Sequence, residues 1–134
     1  MRRTRIDHTL SFMTLPPPRD GLLALDDGGS VWWADSGGDG PPLVLLHPGV
    51  GDSRVWDAAL PALLGRFRLV RYDVRGYGRS PQPDRPYSML ADLRALLDRL
   101  GPEPVHLVGC SMGGGSALGL ALERPERVAS LVLA

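Results

Sequence analysis

The chain has 134 residues and a mass of 14.4 kDa, with 43% hydrophobic and 22% charged residues. That is enough for one domain with its own core, and too apolar for wholesale disorder. Fifteen basic residues, all Arg, balance fifteen acidic ones, so no net field recruits nucleic acid or an anionic membrane; the Arg bias, with 17 Gly and 13 Pro, reads as codon composition.

No apolar run approaches the roughly 20 residues that span a bilayer. Cys110 is the single cysteine, which excludes an intrachain disulfide, and the N-terminus lacks the apolar core of a signal peptide. A soluble cytoplasmic protein is the expectation.

Residues 1–20 carry several Arg and the run Pro16-Pro17-Pro18 without periodicity. They read as a mobile leader, with Met13 as an alternative start. Next, Leu22–Leu25 and Val31–Ala34 flank Asp26-Asp27-Gly28-Gly29-Ser30, a β-hairpin signal. Leu43–His47 is apolar at successive positions and suits a strand buried on both faces. Asp52 or Ser53 can cap a helix presenting Val55, Trp56, Ala59, Leu60, Leu63 and Leu64, broken by Pro61 and ended by Gly65.

The strand Phe67–Asp73 follows, then a Gly/Pro-rich loop. Ser88 is a candidate N-cap for a helix whose Met89, Leu93, Leu96, Leu97 and Leu100 share one face, stopped by Gly101-Pro102. Pro104–Gly109 is another buried strand, Met112–Arg124 a helix ending before Pro125, and Arg127–Ala134 a further strand. A hairpin followed by alternating strands and helices predicts an α/β fold: a mainly parallel, twisted sheet with helices on both faces and right-handed crossovers. Ligands of such sheets bind beyond the carboxyl ends of the strands. Three segments fall there: His47–Asp52, Asp73–Ser80 and Cys110–Gly114.

Gly109-Cys110-Ser111-Met112-Gly113 fits G-x-S-x-G between a predicted strand and a predicted helix. A serine on so sharp a turn needs a strained backbone, and the flanking glycines remove the Cβ atoms that would collide as strand and helix close. The hydroxyl is thereby lifted into the crevice. The helix beginning at Met112 aims unpaired N–H groups and a positive dipole end at the same spot, which suits an oxyanion. A phosphate cradle is the weaker reading, for there is no Lys and no G-x-G-x-x-G in frame.

Taken together, Leu43–Asp57, Val70–Ser80 and Val105–Gly114 resemble the strand and oxyanion loop, the D-x-R-G-x-G-x-S segment and the nucleophile elbow of the α/β-hydrolase family, in that family's order. The resemblance implies that Ser111 is a nucleophile and that the Met112 N–H is one oxyanion donor. The other donor is Gly49, with Val50 the alternative, because Pro48 has no N–H to give. Asp73, Arg75, Gly76 and Gly78 then shape the loop beside the elbow, and His47 holds the oxyanion loop from within the crevice. The implied activity is attack on an ester, thioester or related carbonyl of a small molecule through an acyl-enzyme, with no cofactor and no metal. A serine here disfavours the dehalogenases and epoxide hydrolases of this fold, which use Asp.

The family's chain order is Ser, then acid, then His, yet the residues after Ser111 contain no His and no Asp, and only Glu123 and Glu126 as acids. Of the three histidines, His8 falls in the leader, His47 reads as a loop brace, and His106 reads as a satisfied core residue. Residues 21–134 are therefore expected to be the N-terminal half of a hydrolase domain, inactive alone. The alternative is a noncatalytic binding or dimerising module, paired as a homodimer through its last, apolar edge strand. Cys110 is expected to pack rather than react. Asp92 and Asp98 are placed on a solvated helix face, and Trp32, Trp33 and Trp56 in the core or a crevice wall.

Overall fold

The computed structural model describes residues 17–134. The expectations for the leader up to residue 16, and for His8, lie outside them. The turn Asp26–Gly29 closes through Leu25 N–H donating to Gly29 O at 2.9 Å and Gly28 N–H to Leu25 O at 3.0 Å, with Gly28 at φ 86°. It joins β1 (Arg19–Ala24) to β2 (Ser30–Asp35) as an antiparallel hairpin. β1 thus begins at Arg19, inside the stretch read as leader. Pairing with Asp35 recruits that residue: the Arg19 guanidinium lies 3.4 Å from the carboxylate and 4.6 Å over the Trp33 ring.

The remaining strands are β3 (Pro42–Leu46), β4 (Arg68–Tyr72), β5 (Val105–Gly109) and β6 (Val128–Leu133). All six form one sheet in the order β1-β2-β4-β3-β5-β6, antiparallel as far as the β2–β4 pair and parallel from β4 onward. β3 is buried on both faces, which explains its unbroken apolar run. Val44 and Leu46 pack into the larger core with Val70, Tyr72 and Leu107, whereas Leu43 and Leu45 join Leu69, Trp56, Leu60 and Phe67 on the opposite face.

Helices cover both faces. α1 (Leu60–Leu63), preceded by a 3₁₀ turn at Ser53–Trp56, covers the smaller cluster. Asp52 is the cap of that turn, accepting from Arg54 N–H at 2.9 Å. The segment falls into two short pieces, as expected, and Pro61 stands in the first turn of the second, α1, where its missing N–H costs no hydrogen bond. α2 (Met89–Leu100), capped by Ser88 Oγ on Ala91 N–H at 3.1 Å, and α3 (Met112–Glu123) cover the larger core with Leu93, Leu96, Leu97, Ala117 and Leu120.

Two expectations are corrected by burial. Asp92 does not lie on a solvated face: it is 5% exposed and forms a bidentate pair with Arg75, Nε to Oδ2 and Nη2 to Oδ1 both at 2.8 Å. An arginine brought in by the loop after β4 makes that helix position interior. His106 is partnered, as expected, but half-buried rather than core; its Nδ1 is 2.6 Å from Ser130 Oγ and its ring is edge-on to Phe67. Asp98 is exposed, and Trp32 and Trp33 are buried, as expected.

Candidate active site

Strand order positions the site. β3 lies between β4 and β5, so the loops leaving the carboxyl ends of these parallel strands emerge side by side. At the end of β5, Ser111 has φ 50° and ψ −112°, the sole positive φ of a non-glycine among the described residues. Such a backbone costs about 1–3 kcal/mol and persists only where neighbours over-determine it. Here Cys110 N–H donates to Leu46 O at 3.1 Å, Ser111 N–H to Ala134 O at 2.9 Å and Gly113 N–H to Cys110 O at 2.9 Å.

The glycines permit this closure. A Cβ on Gly109 would lie 2.6 Å from Gly113 O, and one on Gly113 would strike the Leu46 carbonyl and sit 2.8 Å from His47 O. Ser111 is exposed and its hydroxyl makes no capping bond to α3. Met112 opens that helix, and its N–H has no acceptor among the described residues.

Beside the elbow, Pro48–Gly51 forms a turn closed by Gly51 N–H on Pro48 O at 3.3 Å. Gly49 and Val50 occupy its centre, and neither N–H has an acceptor among the described residues. Gly49 faces the elbow: a Cβ there would lie 3.5 Å from Met112 Sδ. Val50 is 97% exposed. Cys110 is half-buried and unpaired, with its backbone rather than its thiol engaged.

His47 is 1% exposed and both its nitrogens are used. Val74 N–H donates to Nε2 at 2.9 Å, and Nδ1 donates to Pro48 O at 2.8 Å. With neither nitrogen free, it braces the loop and cannot take a proton from Ser111. Asp73, fully buried, accepts from Ser53 N–H at 2.8 Å and Arg79 N–H at 2.9 Å, tying the turn before α1 to the loop after β4. Arg75 bonds Asp92 and also Asp27, at 2.9 Å, and lies 5.0 Å over the Tyr87 ring; these carboxylates raise its pKa further. Asp73 and Arg75 are thus fully engaged as scaffold.

The Arg75–Asp92 pair escaped sequence reading, because nothing in α2 alone marks Asp92 as interior. A cavity of about 400 Å³ lined by Arg19, Asp35, Leu60, Leu64, Leu69 and Arg71 contains none of the elbow residues. Its arginines are already paired, with Asp35 and Asp57. Among the described residues no helix is long and apolar enough to cross a membrane.

Comparison with known proteins places the chain in a fold family. A family profile described as alpha/beta hydrolase fold matches residues 41–134. Pimeloyl-acyl-carrier protein methyl ester esterase of Aeromonas hydrophila is 41% identical over 95 residues, covering 71% of this chain and 37% of that protein. Fluoroacetate dehalogenase of a Burkholderia species is 38% identical over 105 residues, covering 72% and 34%. A crystallised hydrolase from Pseudomonas aeruginosa superposes with a TM-score of 0.79 at 39% identity, covering 86% of this chain and 45% of that one. The chain spans about a third of the length of the curated relatives it matches.

Proposed function

This chain belongs to the α/β-hydrolase fold family, and on that premise we propose that it carries the nucleophile and oxyanion site of a serine hydrolase. Ser111 Oγ attacks the carbonyl carbon of a small ester, thioester or related substrate. Its proton passes to a histidine supplied from outside the described residues. The Met112 and Gly49 N–H groups receive the charge that develops on the carbonyl oxygen. The histidine then protonates the leaving group, and water, deprotonated by the same base, releases the acid from the acyl-enzyme.

The observation that carries this reading is the strained Ser111 backbone with its free, exposed hydroxyl at the open N-terminus of α3. A fluorophosphonate probe tests it on the full-length gene product. Labelling that disappears in Ser111→Ala supports an activated serine; no labelling, or labelling unchanged by the substitution, overturns it.

A second reading, a binding or dimerising module without turnover, draws support from the engagement of His47 and His106 elsewhere. It also draws on the half-exposed Val132 and Leu133 of edge strand β6. It predicts a dimer by sedimentation that Val132→Lys dissolves.

A further inference from the structure

The loop after β4 presents a residue that no motif singles out. Tyr77 stands between Gly76 at φ 84° and Gly78 at φ 49°. Its N–H donates to Val74 O at 2.9 Å and its carbonyl accepts from Ser80 N–H at 2.9 Å, so two consecutive turns hold its backbone. Gly78 is pressed onto Asp73: a Cβ there would lie 2.7 Å from Asp73 Cγ, and that carboxylate is itself pinned by two N–H groups. The geometry fixes one side chain against the site.

The half-buried Tyr77 ring packs against the His47 imidazole, centroids 5.3 Å apart at 54°. Its hydroxyl lies 3.7 Å from the point where a Gly49 Cβ would stand, the same point that is 3.5 Å from Met112 Sδ. It neither donates to nor accepts from any described group. A phenol whose O–H has no partner among the described residues therefore adjoins Gly49 and Met112, whose N–H groups also lack acceptors there.

We propose that Tyr77 is a substrate-contacting residue of this site, its O–H donating a hydrogen bond to an oxygen of the bound acyl group beside Gly49 and Met112. The inference rests on the reading of Ser111 and its oxyanion donors given above. It adds a side-chain donor to two backbone ones, and selects for substrates or intermediates with a second oxygen on the reacting centre. A phenylalanine would pack equally well against His47, so the hydroxyl alone is at issue.

The test titrates methylphosphonate, a stable tetrahedral anion, into the ¹⁵N-labelled full chain and into Tyr77→Phe. Amide shifts of Gly49 and Met112 report occupancy, and unchanged shifts in α2 and in residues 117–123 of α3 report an intact fold. Binding about tenfold weaker in Tyr77→Phe, with both amides still responding, is the expected result. Equal affinity in the two proteins overturns the role of Tyr77 and leaves the backbone donors standing. No response of the Gly49 and Met112 amides in the wild type overturns the oxyanion site itself, and Tyr77 with it.

Discussion

The backbone N–H of Val74 donates to Nε2 of His47 at 2.9 Å, which leaves the imidazole proton on Nδ1, 2.8 Å from the Pro48 carbonyl oxygen. A histidine inside a candidate active site is thereby committed to architecture. Replacing it with Ala orphans the Val74 N–H and frees the Pro48 carbonyl, so His47→Ala should cost about 2–3 kcal/mol. His47→Gln, able to accept from Val74, should recover part of that loss. Urea denaturation of the three proteins reads the difference.

Arg75 and Asp92 form the second buried tie, 4% and 5% exposed. Asp92→Ala strands a buried guanidinium that keeps only Asp27 and the Tyr87 face, and should destabilise by about 3–5 kcal/mol. An Arg75→Met, Asp92→Leu double variant should lose less than Asp92→Ala alone. Chemical unfolding of both decides whether the charge left unpaired is the dominant cost.

Gly113 and Gly115 separate close approach from helix propensity within one helix. A Cβ at Gly113 collides with the backbone of Leu46 and His47, whereas one at Gly115 meets nothing within 4 Å. Gly113→Ala should therefore unfold or strongly destabilise the chain. Gly115→Ala should stabilise it by about 0.5–1 kcal/mol through the entropy lost to glycine in the unfolded chain. Thermal melts of the pair test this directly.

Acid stability should follow Asp35. Burial pushes its carboxyl up, but hydrogen bonds from Arg68 and the Gly37 N–H, with the charges of Arg68 and Arg19, hold it below the ordinary carboxylate value. A carboxylate whose pKa is lower folded than unfolded contributes its full stability above the unfolded value of about 4, and loses it as pH falls through the folded value. Urea midpoints should drop below about pH 4, and Asp35→Asn should flatten that slope while lowering stability at pH 7.

The histidine proposed as base for Ser111 gives a further expectation. If the histidine lies on polypeptide beyond these 134 residues, the product captured from cells through its N-terminal half should have an intact mass about twice 14.4 kDa. A mass matching 134 residues would favour the binding module.

Local chemistry made much of this protein legible from its sequence. The Asp-Asp-Gly-Gly-Ser turn fixed a hairpin, Ser88 announced α2, and Gly109–Gly113 marked a strand-to-helix elbow. Each of these signals acts within a few residues, where backbone sterics and a single capping bond decide the outcome. Tertiary structure decided what depends on partners distant in sequence. Asp92 became interior because Arg75, 17 residues away, reaches it. His47 lost its free nitrogen to Val74, 27 residues away. Tyr77 gained meaning when the order β4-β3-β5 brought its loop against Gly49 and Met112. Burial and hydrogen bonding are properties of the pairings a sheet makes, and a side chain's periodicity along one element does not contain them.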